Sequence, residues 1–127
     1  MIASELISYD IPPLKLIDSG TKALNWMEEF KVVDIPIVEN GKYVGLIQES
    51  DILDRNDQDD NIKNYDLTFR KPFAYQHQHL FELIALIVDN GIDILPVVDE
   101  NEKYIGVITI KSILSYFSKA ISIANQG

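Results

Sequence analysis

The chain has 127 residues, 46% of them hydrophobic and 24% charged, with six glycines, five prolines and no cysteine. That length suits one compact domain and is too short for two independent large cores, and the composition excludes disordered and collagen-like classes, disulfides, thiolate metal sites and cysteine nucleophiles. A formal net charge of −9, with Asp57, Asp59 and Asp60 clustered, opposes nucleic acid and anionic membrane surfaces.

In chain order, Leu14 to Ile17 reads as a short strand and Thr21 to Phe30 as a helix with Ala23, Leu24, Met27 and Phe30 on one face. Ile35 to Val38 and Tyr43 to Gln48 are apolar runs either side of Asn40-Gly41, a pair suited to a hairpin because both residues accept positive φ. A short helix from Ser50 to about Arg55 follows, and polar Asn56 to Asn61 reads as a solvated connection. Then comes a strand at Phe73 to Gln76, a helix at His79 to Asn90 ended by Gly91 in the left-handed conformation, and a second hairpin of Leu95 to Val98 with Tyr104 to Thr109. Ile110, Ile113, Leu114, Phe117, Ile121 and Ala124 recur at steps of three and four and predict an amphipathic closing helix. The longest apolar run, Leu83 to Val88, is far below the roughly 18 residues of a membrane helix, so the expectation is a soluble, cytoplasmic protein.

The order is strand, helix, strand, strand, helix, twice, and the residues repeat with it. Lys42-Tyr43-Val44-Gly45-Leu46-Ile47 is echoed by Lys103-Tyr104-Ile105-Gly106-Val107-Ile108, and Asp34-Ile35-Pro36-Ile37-Val38-Glu39 by Ile94-Leu95-Pro96-Val97-Val98-Asp99. The offset is 60 residues before the hairpin turn and 61 after it, so the one insertion falls in the turn. Each closing helix begins directly at the end of a hairpin strand, which turns its unpaired N-terminal amides into the cleft between the halves as an anion site. The strand segments bearing Ile35 and Pro36, or Leu95 and Pro96, would supply apolar walls for a base.

The hairpin motif is apolar-Pro-apolar-apolar-acid, a short polar turn, apolar-Gly-apolar-apolar, then a helix after three more residues. It resembles the CBS domain, and two in tandem resemble a Bateman module. The resemblance covers the whole chain and implies an α+β fold: a tandem CBS-domain pair of two β-α-β-β-α units related by a pseudo-two-fold axis, with residues 1–61 as the first CBS domain and 62–127 as the second. It also implies a homodimer formed through exposed helix faces, and regulation of an associated protein, whose identity the chain does not carry, by AMP, ADP, ATP or S-adenosylmethionine.

Nucleotide-binding copies of the family carry Thr or Ser three residues after the strand glycine and an acid three further on, for phosphate and ribose respectively. Each copy here keeps half. After Gly45 the pair is Gln48 and Asp51, and after Gly106 it is Thr109 and Ser112, with Lys111 placed to neutralise a phosphate. The same residues have a purely structural reading, since Thr109 and Ser50 suit helix N-caps and Asp51 complements the helix dipole. Two functions therefore stand side by side: a regulatory module binding an adenosyl ligand, and a structural dimerisation module with degenerate sites, using Trp26, Tyr116 and Phe117. His77 and His79 share one face of an extended segment but lack cysteine or acidic company, so no metal site is expected. No nucleophile elbow or phosphate-cradling loop is present, Gly41 and Gly45 read as hairpin glycines, and no enzyme is expected.

Overall fold

The computed structural model describes residues 2–65 and 69–126; Met1 and Gly127, the outer ends of the two expected units, lie outside them. After a 3₁₀ turn at Ala3–Glu5 come α1 (Gly20–Phe30), β1 (Asp34–Glu39), β2 (Lys42–Gln48) and α2 (Glu49–Leu53). A second 3₁₀ turn at Ile62–Asn64 leads to β3 (Ala74–Tyr75), α3 (Leu80–Asn90), β4 (Ile94–Val98), β5 (Tyr104–Thr109) and α4 (Ile110–Gln126).

The duplication is visible in the backbone. β1 pairs antiparallel with β2, and β4 with β5, each with a register shift at the same place, between Ile37 and Val38 and between Val97 and Val98. Asn40 and Gly41 turn the first hairpin with φ of 51° and 78°, while the longer second turn places Glu102 at φ 63°. The hairpin tips meet, with the Tyr104 amide donating to Gly41 O at 2.9 Å and Lys42 Nζ to Asn101 O at 2.7 Å.

The entering segments cross over. Ala3, Leu6 and Ile11 are buried with Leu83, Leu95 and Ile108, whereas Ile62 and Tyr65 are buried with Leu14, Ile35 and Ile47. Ser8 bridges to Val107 and Arg70 to Leu46, so each hairpin's second strand is flanked by the segment that precedes the other hairpin. This crossover explains the strand glycines. A Cβ on Gly45 would lie 2.6 Å from Phe69 Cβ and 2.8 Å from Arg70 O, and one on Gly106 would lie 2.6 Å from Ile7 Cγ2 and 3.1 Å from Ser8 O. Gly41 is a turn glycine; Gly45 sits within a strand and is required by close approach instead.

Other expectations shift in detail. Leu14 to Ile17 does not form a strand: Leu14 makes one parallel bridge to Ile37, and the chain then turns, with the Asp18 carboxylate accepting from the Lys15 amide at 2.8 Å. Ser50 is not a cap, because α2 starts one residue earlier. Asn56 to Asn61 is more than a solvated connection: Gln58 O accepts from the Thr21 amide at 2.8 Å and Asp60 O from that of Gly20 at 3.3 Å, satisfying the start of α1. α4 follows its predicted periodicity, but only Ile113 of its apolar stripe is buried, and Leu114, Ile121 and Ile123 are at least 60% exposed. No helix among the described residues is long and apolar enough to cross a membrane.

Candidate ligand-binding clefts

Both closing helices start by the same device. The Glu49 amide donates to Val33 O at 2.9 Å and the Ile110 amide to Asp93 O at 3.2 Å, tying each helix start to the residue before its hairpin. Asp51 then accepts from the Gln48 amide at 2.9 Å. Ser112 Oγ accepts from the Thr109 amide at 3.0 Å, and Thr109 Oγ1 accepts in return from the Ser112 amide at 3.0 Å. The four polar positions expected to face a ligand are thus engaged in capping, an arrangement worth about 1 kcal/mol per cap without any ligand. Ser112 Oγ also donates to Thr109 O at 2.8 Å.

Two clefts open on either side of Thr109 and Lys111. One, of about 620 Å³, lies between the halves: Ser8, Asp10 and Ile11 of the entering segment face Phe30 and Val32 at the end of α1, with Asp93 and the start of α4 completing the wall. The other, of about 380 Å³, lies between the entering segment and α4 and adds Ser112, Ser115 and Lys119. Thr109 and Lys111 line both and Ser112 lines the second, whereas Gln48 and Asp51 line neither. Ile35 is wholly buried in the core, and Pro36 and Pro96 are buried opposite Leu46 and Val107 within their hairpins. The apolar wall of the larger cleft comes from Ile11, Phe30, Val32 and Ile110 instead.

The residue that sequence reasoning passed over is Asp34. It heads β1 opposite Gln48, is 1% exposed, and among the described residues neither carboxylate oxygen meets a donor in full hydrogen-bond geometry. Burial pushes its carboxyl above the ordinary range. The nearby Gln48 side-chain amide and the Arg70 guanidinium oppose that rise, and Asp93 and Asp51 add to it. Arg70 spends a guanidinium N–H on Asn90 O. The signal was present in the repeat, where an acid stands in a position whose counterpart is Ile94. His77 and His79 are both exposed, His77 stacks on Tyr75, and no group of three metal-ligating side chains occurs among the described residues.

Residues 65–119 match the family model for the CBS domain. A CBS domain pair/ACT domain protein from Thermotoga maritima has the same fold, with a TM-score of 0.82 at 20% identity over 94% of this chain and 98% of that one. The chain has the fold of a CBS-domain pair, and its second half matches the CBS domain itself. CBSX2, solved in complex with AMP, superposes on the pair with a TM-score of 0.77 at 21% identity, covering 94% and 97% of the two chains. Among curated relatives, inosine-5′-monophosphate dehydrogenase of Methanocaldococcus jannaschii is 29% identical over 113 residues, which are 88% of the CBS pair and 23% of the dehydrogenase. The pair spans between 23% and 46% of the length of three such relatives.

Proposed function

We propose that this CBS pair is a regulatory module, not itself an enzyme, which takes an adenosine-containing ligand such as AMP, ADP, ATP or S-adenosylmethionine in the larger cleft and reports its occupancy to a partner protein in the cytoplasm. One observation carries this reading: the cleft of about 620 Å³ is walled by Phe30 and Val32 from one repeat and by Thr109 and Ile110 from the other. A ligand there touches both units, 1–61 and 62–127, and favours one arrangement of them by its differential affinity, which is the requirement for a signal. The AMP complex of CBSX2 supports the ligand class.

The test is a thermal-shift panel of adenosine, AMP, ADP, ATP and S-adenosylmethionine. A ligand at 100 times its Kd adds about 2.7 kcal/mol of stability, roughly 8 °C or more for a chain of this size. A midpoint unmoved by every adenosyl compound at millimolar concentration overturns the reading.

The scaffold reading rests on a different observation. α4 exposes Leu114, Phe117 and Ile121 and carries Lys111 and Lys119 but no acid, while α3 exposes Phe81 and Val88 beside Glu82 and Asp89 and carries no base. Two copies related by a two-fold axis could set each α4 against the other's α3, with apolar stripes and opposite charges matched. Light scattering of the Leu114→Glu variant tests this: a dimeric parent and a monomeric variant support it, and a monomeric parent excludes it.

A further inference from the structure

We infer that the side chain of Arg70 holds shut the second inter-repeat cleft, the duplicate of the one between Ser8 and Phe30, so that a ligand enters only on the Thr109 side. Ser8 bridges to Val107 and lines the open cleft; Arg70 bridges to Leu46, the equivalent point of the other hairpin. A short hydroxyl therefore borders one cleft and a long cation the other. The far wall of the open cleft is the end of α1 at Phe30, and the matching last residue of α3, a helix of the same 11 residues, is Asn90. The Arg70 guanidinium donates to Asn90 O. Its side chain thus runs from entering segment to helix end, across the space that stands open in the duplicate.

Chain length and charge favour this closure. Between matching bridges the second entering segment, Arg70 to Ala74, is two residues shorter than the first, Ser8 to Leu14, whose extra length includes Asp10 and Ile11 of the open cleft's wall. Asn90 O is one of the last carbonyls of α3, which lack partners within the helix and carry the negative end of its dipole, a place that suits a cation. The guanidinium also opposes the rise that burial imposes on the Asp34 carboxyl, while Asp51 and Asp93 add to that rise, so Arg70 lies among acids. Attraction and a hydrogen bond hold it where its counterpart, Ser8, leaves room. The closure stands without the adenosyl-ligand reading; its consequence for stoichiometry rests on that reading.

Because the chain has no cysteine, a single introduced thiol reports access cleanly. Gln48 and Thr109 are equivalent, each paired with the first residue of its hairpin. With dithionitrobenzoate, an aromatic disulfide, Gln48→Cys should react about 10-fold or more slowly than Thr109→Cys, as a thiol behind a closed contact does. Adding Arg70→Ser should bring the two rates within about 3-fold and leave Thr109→Cys unchanged. The reagent is anionic, so losing a cation would by itself slow the reaction, and acceleration reports opening. Equal rates in the parent background, or a slow Gln48→Cys that Arg70→Ser does not speed, overturns the inference. Calorimetry with adenosine, which has no phosphate for Arg70 to bind, should give one site per chain in the parent and two in Arg70→Ser. Two in the parent, or one in both, likewise overturns it. Adenosine bound by neither counts against the adenosyl reading, and the thiol rates then decide the closure alone.

Discussion

The two repeats agree in their hairpins and part company in their closing helices. β1–β2 and β4–β5 share pairing, a register shift at the same position, and a glycine pressed under a crossing segment. α2 stops after five residues and yields to an acidic stretch that caps α1, whereas α4 runs 17 residues and leaves much of its apolar stripe uncovered. The hairpin is held by what it must bury, since each entering segment lies across the other repeat's sheet and any change there is felt in both halves. A closing helix is tied in near its start, by Ile52 in one copy and by Ile113 and Tyr116 in the other, so the remainder was free to diverge towards a linker in one copy and an exposed surface in the other.

The largest expected effect tests the sameness of the hairpins. Ile47 and Ile108 are equivalent positions, both 0% exposed, paired respectively with Ile35 and Leu95. Ile47→Ala and Ile108→Ala should each cost about 2–5 kcal/mol, a large share of the ~5–15 kcal/mol that holds a domain of this kind. Urea denaturation should return costs that agree within about 1 kcal/mol. A much smaller cost at Ile47 would mean that the first repeat packs more loosely than the second.

Next in size is the glycine pair. Gly45→Ala forces a methyl against the carbonyl oxygen of Arg70 and the Cβ of Phe69, neither of which can swing aside, so a loss of about 2–3 kcal/mol is expected. Gly106→Ala meets first a methyl of Ile7, which has rotamer freedom, so the loss should be nearer 1 kcal/mol. Equal losses would show that Ile7 is held as firmly as backbone.

These glycines also mark how far the sequence could be read. The duplication, the fold class and the hairpin registers were legible, because a one-residue slip in either strand pair would move every apolar residue to the wrong face. The crossover of entering segments was not legible: Ile2, Leu6 and Ile11 show only that they are apolar, and apolar character does not say which half receives it. The cleft was legible in part. Thr109 and Lys111 line it as placed, but Ile35, Pro36 and Pro96 are needed inside the core, and Phe30 and Val32 enter the wall only because the halves pack as they do. Asp34 was visible as an acid in an apolar column, yet how far its carboxylate is compensated depends on where Arg70 and Gln48 point, which is a tertiary fact.

Asp34 separates the repeats at a position where Ile94 is their counterpart, and its effect depends on pH. The folded-state pKa is raised above the unfolded value by burial, so the group's favourable contribution is complete below the ordinary carboxylate range and is lost as pH rises through the folded pKa. Above the folded pKa the charged carboxylate is a net cost. Asp34→Asn should then stabilise the protein by about 1–2 kcal/mol, and the advantage should vanish below about pH 4. Melting curves of parent and variant between pH 3.5 and 8 should converge on the acid side. A variant less stable at pH 7 would mean that the carboxylate is satisfied in solution.

The smallest effect concerns the helix ends. α1 closes on Lys31 at φ 59° and ψ 44°, and α3 on Gly91 at φ 60° and ψ 42°, so the same left-handed cap is made with and without a side chain. The hydrogen bonds match as well, with the Val32 amide returning to Met27 O at 3.0 Å and that of Ile92 to Ile87 O at 3.1 Å. An L-residue with a Cβ is strained in this conformation and glycine is not. Lys31→Gly should therefore gain about 0.5–1 kcal/mol, and Gly91→Ala should lose about 1 kcal/mol. A Cβ at Gly91 has no heavy atom within 4 Å, so that loss would be purely conformational and can calibrate the other position. Lys31 also lines the larger cleft, so the two variants divide stability from binding: both should shift the denaturation midpoint, in opposite directions, and only Lys31→Gly has a side chain at the ligand's rim to lose. If Lys31→Gly fails to stabilise while Gly91→Ala costs its full amount, the lysine stem is recovering the strain through contact with the cleft wall, and the first helix end is part of the site.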